Sequence, residues 1–286
     1  MGEGLRVSIT LSGISRLFGE SLAGVVDAAA MADAAGIDQI AVPDHLAIGP
    51  RIDRYPYGRF PLPADEPWLE PLVVLAAMAG ATRRIRLATS VLVAPLRSAL
   101  VLAKTAATLD VLSRGRLDLG VGVGWQREEF DAAGVPFEGR AARLDDQLRA
   151  CRALWSGGPT SFHSPTVRFD DLSCLPRPLQ PGGIPIWFGV ALTPRNVERI
   201  AELGAGWLPI GSDLDEIARG VSVLREAFAR AGRDPATLGV RAHAPALDAL
   251  ARMREAGVTI AAFPLGRHAR ARADLRPFFE EIAALR

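Results

Sequence analysis

Hydrophobic positions recur along the chain in two alternating patterns. Short runs rich in β-branched residues are typical of buried strands, and the longer stretches between them repeat their apolar residues with helical periodicity. The predicted strands are Leu5–Leu11, Ile37–Val42, Ile85–Val91, Arg116–Gly122, Pro185–Gly189, Gly206–Pro209, Leu238–Ala242 and Val258–Phe263. The predicted helices are Glu20–Ala35, Pro67–Ala81, Ser98–Ser113, Gly139–Ser156, Thr193–Leu203, Asp213–Ala231, Pro245–Ala256 and His268–Leu285.

Strict alternation of strand and helix predicts a parallel sheet, because neighbouring parallel strands need a crossover connection. The units repeat at about 36 residues each, which matches a (β/α)8 TIM barrel of ordinary size. We therefore expect an α/β fold in which residues 1–286 form a single domain. A doubly wound sheet is the alternative, but the GxGxxG fingerprint expected after its first strand is missing.

Glycine and proline mark the ends of three units in the same way. A glycine is predicted to end the helix in a left-handed conformation, and a proline then ends the next strand. The glycines are Gly36, Gly204 and Gly257, and the prolines are Pro43, Pro209 and Pro264. Two long loops stand out, Asp44–Glu66 after the second strand and Gly157–Gly183 after the fourth strand and its helix. The first leaves the C-terminal end of a strand, where barrel chemistry gathers.

The charge composition narrows the chemistry. The 33 basic and 32 acidic residues give a net charge of +1, so no nucleic-acid partner is expected. Reading along the chain, the only lysine is Lys104, and it does not lie in a Walker A loop. Any anion bound by this protein must therefore meet arginine, backbone N–H groups or helix N-termini.

Targeting and metal-binding signals are missing. Cys151 and Cys174 have neither metal nor redox spacing, and the four histidines form no zinc pattern, so no metal is expected. The first residues lack the pattern of a signal peptide, and no apolar run approaches the length of a membrane span. The expected setting is the reducing cytoplasm, without a membrane partner.

Polar residues directly follow the second strand, as Asp44-His45. A histidine at this position can transfer a proton at neutral pH, and the adjacent carboxylate could hold a hydroxyl or ring nitrogen of a cofactor. The structural alternative is a turn-capping Asp44 beside an exposed His45. His243 ends the seventh strand and could reach the same site, although a buried or idle role is the alternative.

Three further strand ends carry candidate binding groups. Thr89, Ser90 and Val91 end the third strand. Gly120, Gly122, Gly124 and Trp125 end the fourth, where glycines let a flat ligand approach the backbone or simply mark a bend. The turn formed by Gly189, Val190 and Ala191 leads to Thr193, a candidate N-cap whose helix suits a phosphate. Ile210-Gly211 offers a second such turn, next to Asp213.

Read together, these motifs resemble the luciferase-like monooxygenase family, and within it the branch of F420-dependent oxidoreductases. The resemblance extends from the first strand to Ser212. The matching motifs, in order, are Asp44-His45, Thr89–Val93, Leu102–Asp110, Ser113–Arg116, Gly120–Trp125 with Glu128–Phe130, Pro176–Gln180 and Gly204–Trp207.

The resemblance implies a bacterial luciferase-like TIM barrel that binds a flavin or 5-deazaflavin at its C-terminal face. It implies that Asp44 and His45 lie beside the reactive ring, with His45 as the proton donor or acceptor. It also implies a non-proline cis peptide at Ser90-Val91 that supports the ring. The cofactor phosphate is then expected on the backbone of Gly189, Val190 and Ala191, and of Ile210 and Gly211. The remaining expected cofactor contacts are Thr89, Gly122, Gly124 and Trp125.

Some positions depart from the pattern of the family. Some deazaflavin dehydrogenases have a catalytic glutamate where this chain has Trp125, and Glu128 and Glu129 are expected to face elsewhere. Many relatives read Gly-Gly where this chain has Gly189-Val190. Arg51, Arg54 and Arg59 could meet the acidic tail of a deazaflavin or an anionic substrate, or lie in solvent.

The sequence thus predicts an oxidoreductase that transfers a hydride between coenzyme F420 and a small organic substrate. One alternative is an FMN-dependent monooxygenase supplied by a separate flavin reductase. Others are a non-catalytic flavin-binding protein and a phosphate-substrate barrel enzyme without flavin. The family often forms homodimers, for which Leu100–Leu112 and Leu72–Met78 are the candidate faces, although these faces could equally be internal.

Overall fold

The computed structural model describes residues 4–19 and 21–285. The strands are β1 Arg6–Thr10, β2 Gln39–Val42, β3 Arg86–Thr89, β4 Leu92–Val93, β5 Leu117–Gly122, β6 Thr160–His163, β7 Arg168–Leu172, β8 Ile186–Gly189, β9 Gly206–Leu208, β10 Gly239–His243 and β11 Ile260–Pro264. The helices are α1 Ser15–Phe18, α2 Gly24–Ala35, α3 Pro71–Ala81, α4 Ala99–Leu112, α5 Arg127–Ala132, α6 Arg140–Leu154, α7 Pro194–Leu203, α8 Leu214–Arg230, α9 Leu250–Glu255, α10 Leu265–His268 and α11 Leu275–Ala284.

Parallel pairing closes the sheet into a barrel. The order is β1, β2, β3, β5, β8, β9, β10 and β11, and β11 returns to pair with β1 along its whole length, from Arg6 opposite Ile260 to Thr10 opposite Pro264. β4 continues the direction of β3 after a break at Ser90-Val91 and pairs with β5. The predicted α/β TIM barrel of eight parallel strands is therefore confirmed.

All eight predicted barrel strands and all eight predicted helices are present. Most are shorter than predicted, and β10 and β11 end one residue later than predicted. The first predicted residue of the helix Glu20–Ala35 lies outside the described residues, and α2 begins at Gly24. Three short helices were not predicted, namely α1, α5 and α10. They are each of four to six residues and carry too few apolar repeats to give a periodic signal.

Of the three predicted left-handed glycines, one is wrong. Gly36 and Gly257 have φ of 86° and 83°. Gly204 has φ of −90° and is extended. Glycine is needed there because a Cβ would come within 2.8 Å of the carbonyl oxygen of Ile200 and 3.2 Å of the Phe188 ring. The constraint on Gly204 is therefore close packing of α7 against β8.

The two long loops lie at opposite ends of the barrel. Residues 44–66 extend over the C-terminal ends of the strands, where Phe60 and Trp68 line a cavity. The loop 157–183 contains the antiparallel pair β6–β7 and then passes the N-terminal ends. There the Gln180 amide donates to the carbonyl oxygen of Leu117 over 2.7 Å. None of residues 157–183 lines the cavity.

Charged residues close the N-terminal end of the barrel. Arg86 makes an ion pair with Asp118, with an N–O distance of 2.6 Å, and Asp118 also accepts from the Gln39 amide at 2.8 Å. Arg116, which is buried, donates to main-chain carbonyls and to the Thr82 hydroxyl. Lys104 lies on the exposed side of α4 and donates to the Leu175 carbonyl. Its place away from the cavity fits a structural role.

Candidate functional site

A cavity of about 540 Å³ opens at the C-terminal ends of the strands. Each of the eight barrel strands, or the residues that directly follow it, contributes to the lining. This volume lies within the usual range for small-molecule and cofactor sites, roughly 300–1,000 Å³. Of the predicted site residues, the lining includes Asp44, His45, Ser90, Val91, Gly122, Gly124, Trp125, Gly189 and Ile210.

His45 is held by a buried carboxylate. Its Nδ1 lies 3.0 Å from Glu129 Oε2, and Glu129 Oε1 accepts from the backbone N–H of Leu46 at 2.5 Å. Because Nδ1 is engaged by Glu129, Nε2 is the ring nitrogen left for the cavity. The prediction that Glu129 faces elsewhere is wrong, because the turn of α5 brings it under His45.

Glu129 could have been recognised from its neighbours in sequence. Gln126, Glu129 and Phe130 share the buried face of the α5 region, at spacings that place them on one side of a helix. Gln126 also fixes the loop, since its side-chain oxygen accepts from Gly49 N at 2.9 Å and its amide donates to Gly49 O at 3.1 Å. A glutamate on such a face needs a partner, and His45 is that partner.

Asp44 bonds to protein groups with both of its carboxylate oxygens. It accepts from Arg97 Nη1 at 2.7 Å and Nη2 at 3.0 Å, and from the backbone N–H of Val93 at 2.8 Å. Burial alone would lower the pKa of Arg97, but its bonds to Asp44 and Glu70 outweigh that effect and raise it. Asp44 therefore ties the end of β2 to β4, and a bond from its side chain to a cofactor remains a prediction.

Val91 forms part of the cavity floor. The Ser90-Val91 peptide bond is cis, as the resemblance implies. A Cβ on Gly122 would lie 2.8 Å from Val91 Cγ2, and one on Gly189 would lie 2.5 Å from Val91 Cγ1. The two glycines therefore make room for the Val91 side chain between β5 and β8. Thr89 lies beneath, outside the lining, and its hydroxyl donates to Gly120 O at 2.6 Å.

Three aromatic side chains contact the His45 ring, and a fourth, Tyr55, packs against two of them. We call the four the aromatic wall: Tyr55, Phe60, Trp68 and Trp125. The His45 ring centroid lies 4.7 Å from that of Trp68 and 5.9 Å from that of Trp125, in edge-to-face arrangements. Trp68 Nε1 is buried and has no hydrogen-bond partner among the described residues. Of the wall, only Trp125 was predicted as a site residue. Tyr55 and Phe60 come from a loop without periodicity, and Trp68, which falls in the predicted helix Pro67–Ala81, lies before the start of α3.

Two polar residues of β10 face the same cavity, Arg241 and His243. Arg241 is buried and donates to three hydroxyl groups, those of Ser8, Thr10 and Ser90. Burial lowers the pKa of Arg241 to about 10, which leaves it charged at neutral pH. His243 Nδ1 is buried without a partner among the described residues. Burial, reinforced by the charge of Arg241, lowers the pKa of His243 to about 4.

The predicted phosphate turns border a second cavity of about 610 Å³ that shares Pro209 and Ile210 with the first. Ala191 and Gly211 line it, whereas Val190 is buried and its carbonyl accepts from Trp207 Nε1 at 2.9 Å. Thr193 caps α7, where its hydroxyl accepts from Asn196 N at 3.3 Å. Phosphate binding at these turns remains a prediction.

The second of these turns already holds a carboxylate. Asp213 accepts from the N–H groups of Asp215 and Glu216 at the start of α8, at 2.9 and 3.1 Å. Its charge occupies the N-terminus of that helix. An anion is therefore better placed at α7, across the same cavity.

Several predicted features lie away from the cavity. Arg51, Arg54 and Arg59 are exposed and do not line it, and Arg51 pairs with Asp53 over 2.8 Å. Across residues 4–19 and 21–285, no cluster of three or more metal-ligating side chains occurs. In the same part of the chain, no helix has the length and apolar character needed to cross a membrane. Cys151 and Cys174 are buried free thiols.

Comparison with known proteins gives one family. Residues 6–278 match the model of the luciferase-like monooxygenase family. The uncharacterized protein Rv0953c of Mycobacterium tuberculosis is 37% identical over 269 residues, which cover 91% of this chain and 94% of the relative.

Solved structures share the architecture at low sequence identity. An F420-dependent secondary alcohol dehydrogenase, in complex with an F420-acetone adduct, superposes with a TM-score of 0.77 at 14% identity, covering 99% of this chain and 100% of the other. Monooxygenase RslO1 from Streptomyces bottropensis gives 0.74 at 21% identity, covering 98% of each chain.

Proposed function

Because the chain belongs to the luciferase-like monooxygenase family, we propose that it is an oxidoreductase that transfers a hydride between coenzyme F420 and a small organic substrate. At the coarser level it is a flavin- or deazaflavin-dependent oxidoreductase. One observation carries the proposal: the carboxylate-held His45 stands at the edge of a cavity whose floor is formed by Val91 between Gly122 and Gly189.

The residues present fit a flat heterocyclic ring. Val91 fills the space above Gly122 and Gly189, so the floor between β5 and β8 carries no other side chain. Around it, His243 Nδ1 and Trp68 Nε1 are buried polar atoms without a hydrogen-bond partner among the residues that the structure describes. Buried polar atoms normally have partners, so a ligand with hydrogen-bonding edges would complete both. Ser90, Val91 and Gly189 would hold such a ring, and its tail would enter the second cavity towards α7.

The redox chemistry would come from the ring itself, which accepts or gives the hydride when bound. The protein supplies the proton and the environment. His45 Nε2 would give a proton to the substrate oxygen, or take it, and Glu129 would hold the imidazole in one orientation and stabilise its charged form. The aromatic wall would exclude water from the space above the floor.

An FMN-dependent monooxygenase is the second candidate, and Trp125 favours it. The glutamate found there in some deazaflavin dehydrogenases is replaced by a bulky apolar side chain, which lies 5.9 Å from the His45 ring. A dry, apolar pocket above the ring suits an apolar substrate and protects reactive intermediates from water. A separate flavin reductase would then be the partner.

Titration of the purified apoprotein with F420 and with FMN separates the candidates. We expect F420 to bind with a dissociation constant in the micromolar range or lower, measured by the quenching of its fluorescence. FMN should bind with a higher dissociation constant. Tight binding of FMN without measurable affinity for F420 would overturn the primary proposal in favour of the monooxygenase. A protein that binds neither ring would point to a phosphate-substrate enzyme instead.

A homodimer is proposed for the assembled protein. Four apolar side chains of α3 and α4 are exposed: Val73, Leu100, Val101 and Leu112. Exposed apolar patches commonly mark interaction sites. Light scattering on the wild type should give twice the chain mass, and Val101→Arg should shift the mass towards the monomer. A monomeric wild type would reject this assembly.

A further inference from the structure

Arg241 lies inside the barrel, directly below the cavity. It is 4% exposed, and β10 directs it among the hydroxyl groups of the first and third strands. Its Nη1 donates to Ser90 Oγ at 2.6 Å, its Nη2 to Thr10 Oγ1 at 2.6 Å and its Nε to Ser8 Oγ at 3.2 Å. The bond to Ser90 connects the guanidinium to the segment that forms the floor.

The guanidinium has donors to spare. Arginine carries five N–H groups, and the three bonds use three of them, all to neutral hydroxyls. Within the described ranges, no carboxylate lies within 4.0 Å of Arg241. Arg116, the other buried arginine of the barrel wall, is different, since it makes five hydrogen bonds to protein acceptors.

The nearest negative charge in the barrel interior is already neutralised. Ser8 donates to Gln39 Oε1 at 3.1 Å, and the Gln39 amide donates to Asp118 at 2.8 Å, so a hydrogen-bonded chain leads from Arg241 to Asp118. Asp118 in turn accepts two bonds from Arg86, at 2.8 and 2.6 Å. This chain fixes the orientation of Arg241 but leaves its charge without a counter-ion.

A second, independent observation comes from His243. It lies two residues further along β10, lines the same cavity, and its buried Nδ1 has no partner in the part of the chain that the structure describes. A buried cation without a counter-ion and a buried nitrogen without a partner are both costly. Their presence side by side at one ligand cavity indicates that a ligand carrying negative charge completes this corner.

We propose that the Arg241 guanidinium serves as the counter-ion for negative charge on the bound ring. The inference rests on the proposed function, because it requires a flavin or deazaflavin in the cavity. With Arg241 as counter-ion, the protein binds the anionic form of the ring more tightly than the neutral form. Arg241 would thereby favour the reduced, anionic state of a flavin.

The test compares dissociation constants for anionic and neutral rings in the absence of substrate. For FMN, these are the reduced and oxidised forms at mildly alkaline pH. For F420, they are the oxidised ring above and below the ionisation of its ring hydroxyl. In Arg241→Met, the preference for the anionic form should fall about tenfold, which corresponds to about 1.4 kcal/mol. Arg241→Lys, which keeps the charge, should retain most of it.

Arg152→Met is the matched control, because it removes an arginine charge from the outer helix layer, where Arg152 donates to the carbonyl of Leu203. It should leave the ratio unchanged. Arg241→Gln, also neutral but able to bond to the hydroxyls, replaces Met if the Met variant does not fold. An unchanged ratio in the neutral variants, with wild-type ring binding intact, would overturn the inference and leave the proposed function standing. A wild type that binds neither ring would reject both.

Discussion

The charged groups at the N-terminal end of the barrel and the cavity-lining polar groups at its C-terminal end differ in how fully the protein satisfies them. At the N-terminal end, Arg86, Arg116 and Asp118 find several partners each within the protein. At the C-terminal end, Trp68 Nε1 and His243 Nδ1 have none among the described residues. Outside the cavity lining, Trp187 Nε1 of β8 is also buried without a partner in the part of the chain that the structure describes. Buried polar groups are normally paired, so the first pattern indicates a stabilising function and the second a binding function. Substitutions should therefore affect stability at one end and ligand chemistry at the other.

The largest effect is expected from His45→Ala. Without the imidazole, the carboxylate-held proton donor or acceptor at the cavity edge is lost, and general acid–base catalysis contributes typically about 10²–10⁴-fold. Turnover with any accepted substrate should fall by that factor, measured as kcat of the folded variant at saturating cofactor. Glu129→Gln, which leaves the imidazole but removes its charged partner, should give an intermediate loss.

Unchanged turnover in His45→Ala would show that this histidine is not the acid or base. A loss of ring affinity equal to the loss of turnover would instead assign His45 to binding.

At the opposite end, Arg116→Met should reduce the free energy of unfolding by about 3 kcal/mol or more. The substitution leaves four buried acceptors of α3 and its following loop without their donor, and each unsatisfied buried group costs roughly 1–3 kcal/mol. Denaturant unfolding measures the loss. The dissociation constant of the ring in the folded variant should equal that of the wild type. A stable variant with weakened ring binding would contradict the division between the two ends.

The architecture was predictable because it rests on repeated patterns. Each barrel strand is a short buried run and most helices bury one face, so hydrophobic periodicity located the eight barrel strands and eight of the helices, but not α1, α5 and α10. The same regularity places four residues at the cavity, because they follow strands that end at one face of the barrel. They are Asp44, His45, Ser90 and Trp125.

The partners of those residues were not predictable from local pattern. Glu129 meets His45 across 84 positions of sequence, and Arg241 meets Ser90 across 151. Such contacts depend on how strands and loops meet in the closed barrel. Phe60 lies in a loop without periodicity and Trp68 lies before the start of α3, where neither pattern nor spacing marks which side chains turn inward.

Lowering the pH should reduce the free energy of unfolding through His243, whose buried Nδ1 has no partner among the described residues. Burial, then the charge of Arg241, lowers the pKa of His243 to about 4, from 6.5 when exposed. The folded state therefore favours neutral His243: its contribution to stability is complete above pH 6.5 and is lost as the pH falls towards 4. The loss is about 3 kcal/mol, from 1.36 kcal/mol per pKa unit.

Unfolding of the wild type and of His243→Gln at several pH values between 7 and 4.5 tests this. The stability of the wild type should fall more steeply than that of the variant. Parallel curves would mean that His243 is solvated in the folded protein, and the corner below the cavity would then lack its second unsatisfied group.

The smallest effect is expected from substituting two tryptophans, one in the helix layer and one at the cavity. Together they compare a paired and an unpaired indole N–H directly. Trp155 Nε1 donates to the carbonyl of Ala103 at 3.0 Å in the helix layer, whereas Trp68 Nε1 has no partner in the described chain. Replacement by phenylalanine keeps an aromatic ring and removes the N–H in both cases. A hydrogen bond contributes about 0.5–1.5 kcal/mol.

Trp155→Phe should therefore lower the free energy of unfolding by about 1 kcal/mol, the usual net value of one hydrogen bond, and leave KM unchanged. Trp68→Phe should leave stability nearly constant, since no protein bond is lost, and raise KM for the ring cofactor by about two- to tenfold at constant kcat, because the lost bond is one that the bound ring would accept in both the ground and transition states. Steady-state kinetics gives KM and denaturant unfolding gives the free energy of unfolding, so the two variants can be compared on both quantities. An unchanged KM in Trp68→Phe would mean that the orphan indole faces no ligand, and that an unpaired buried donor at this end of the barrel need not mark a binding contact.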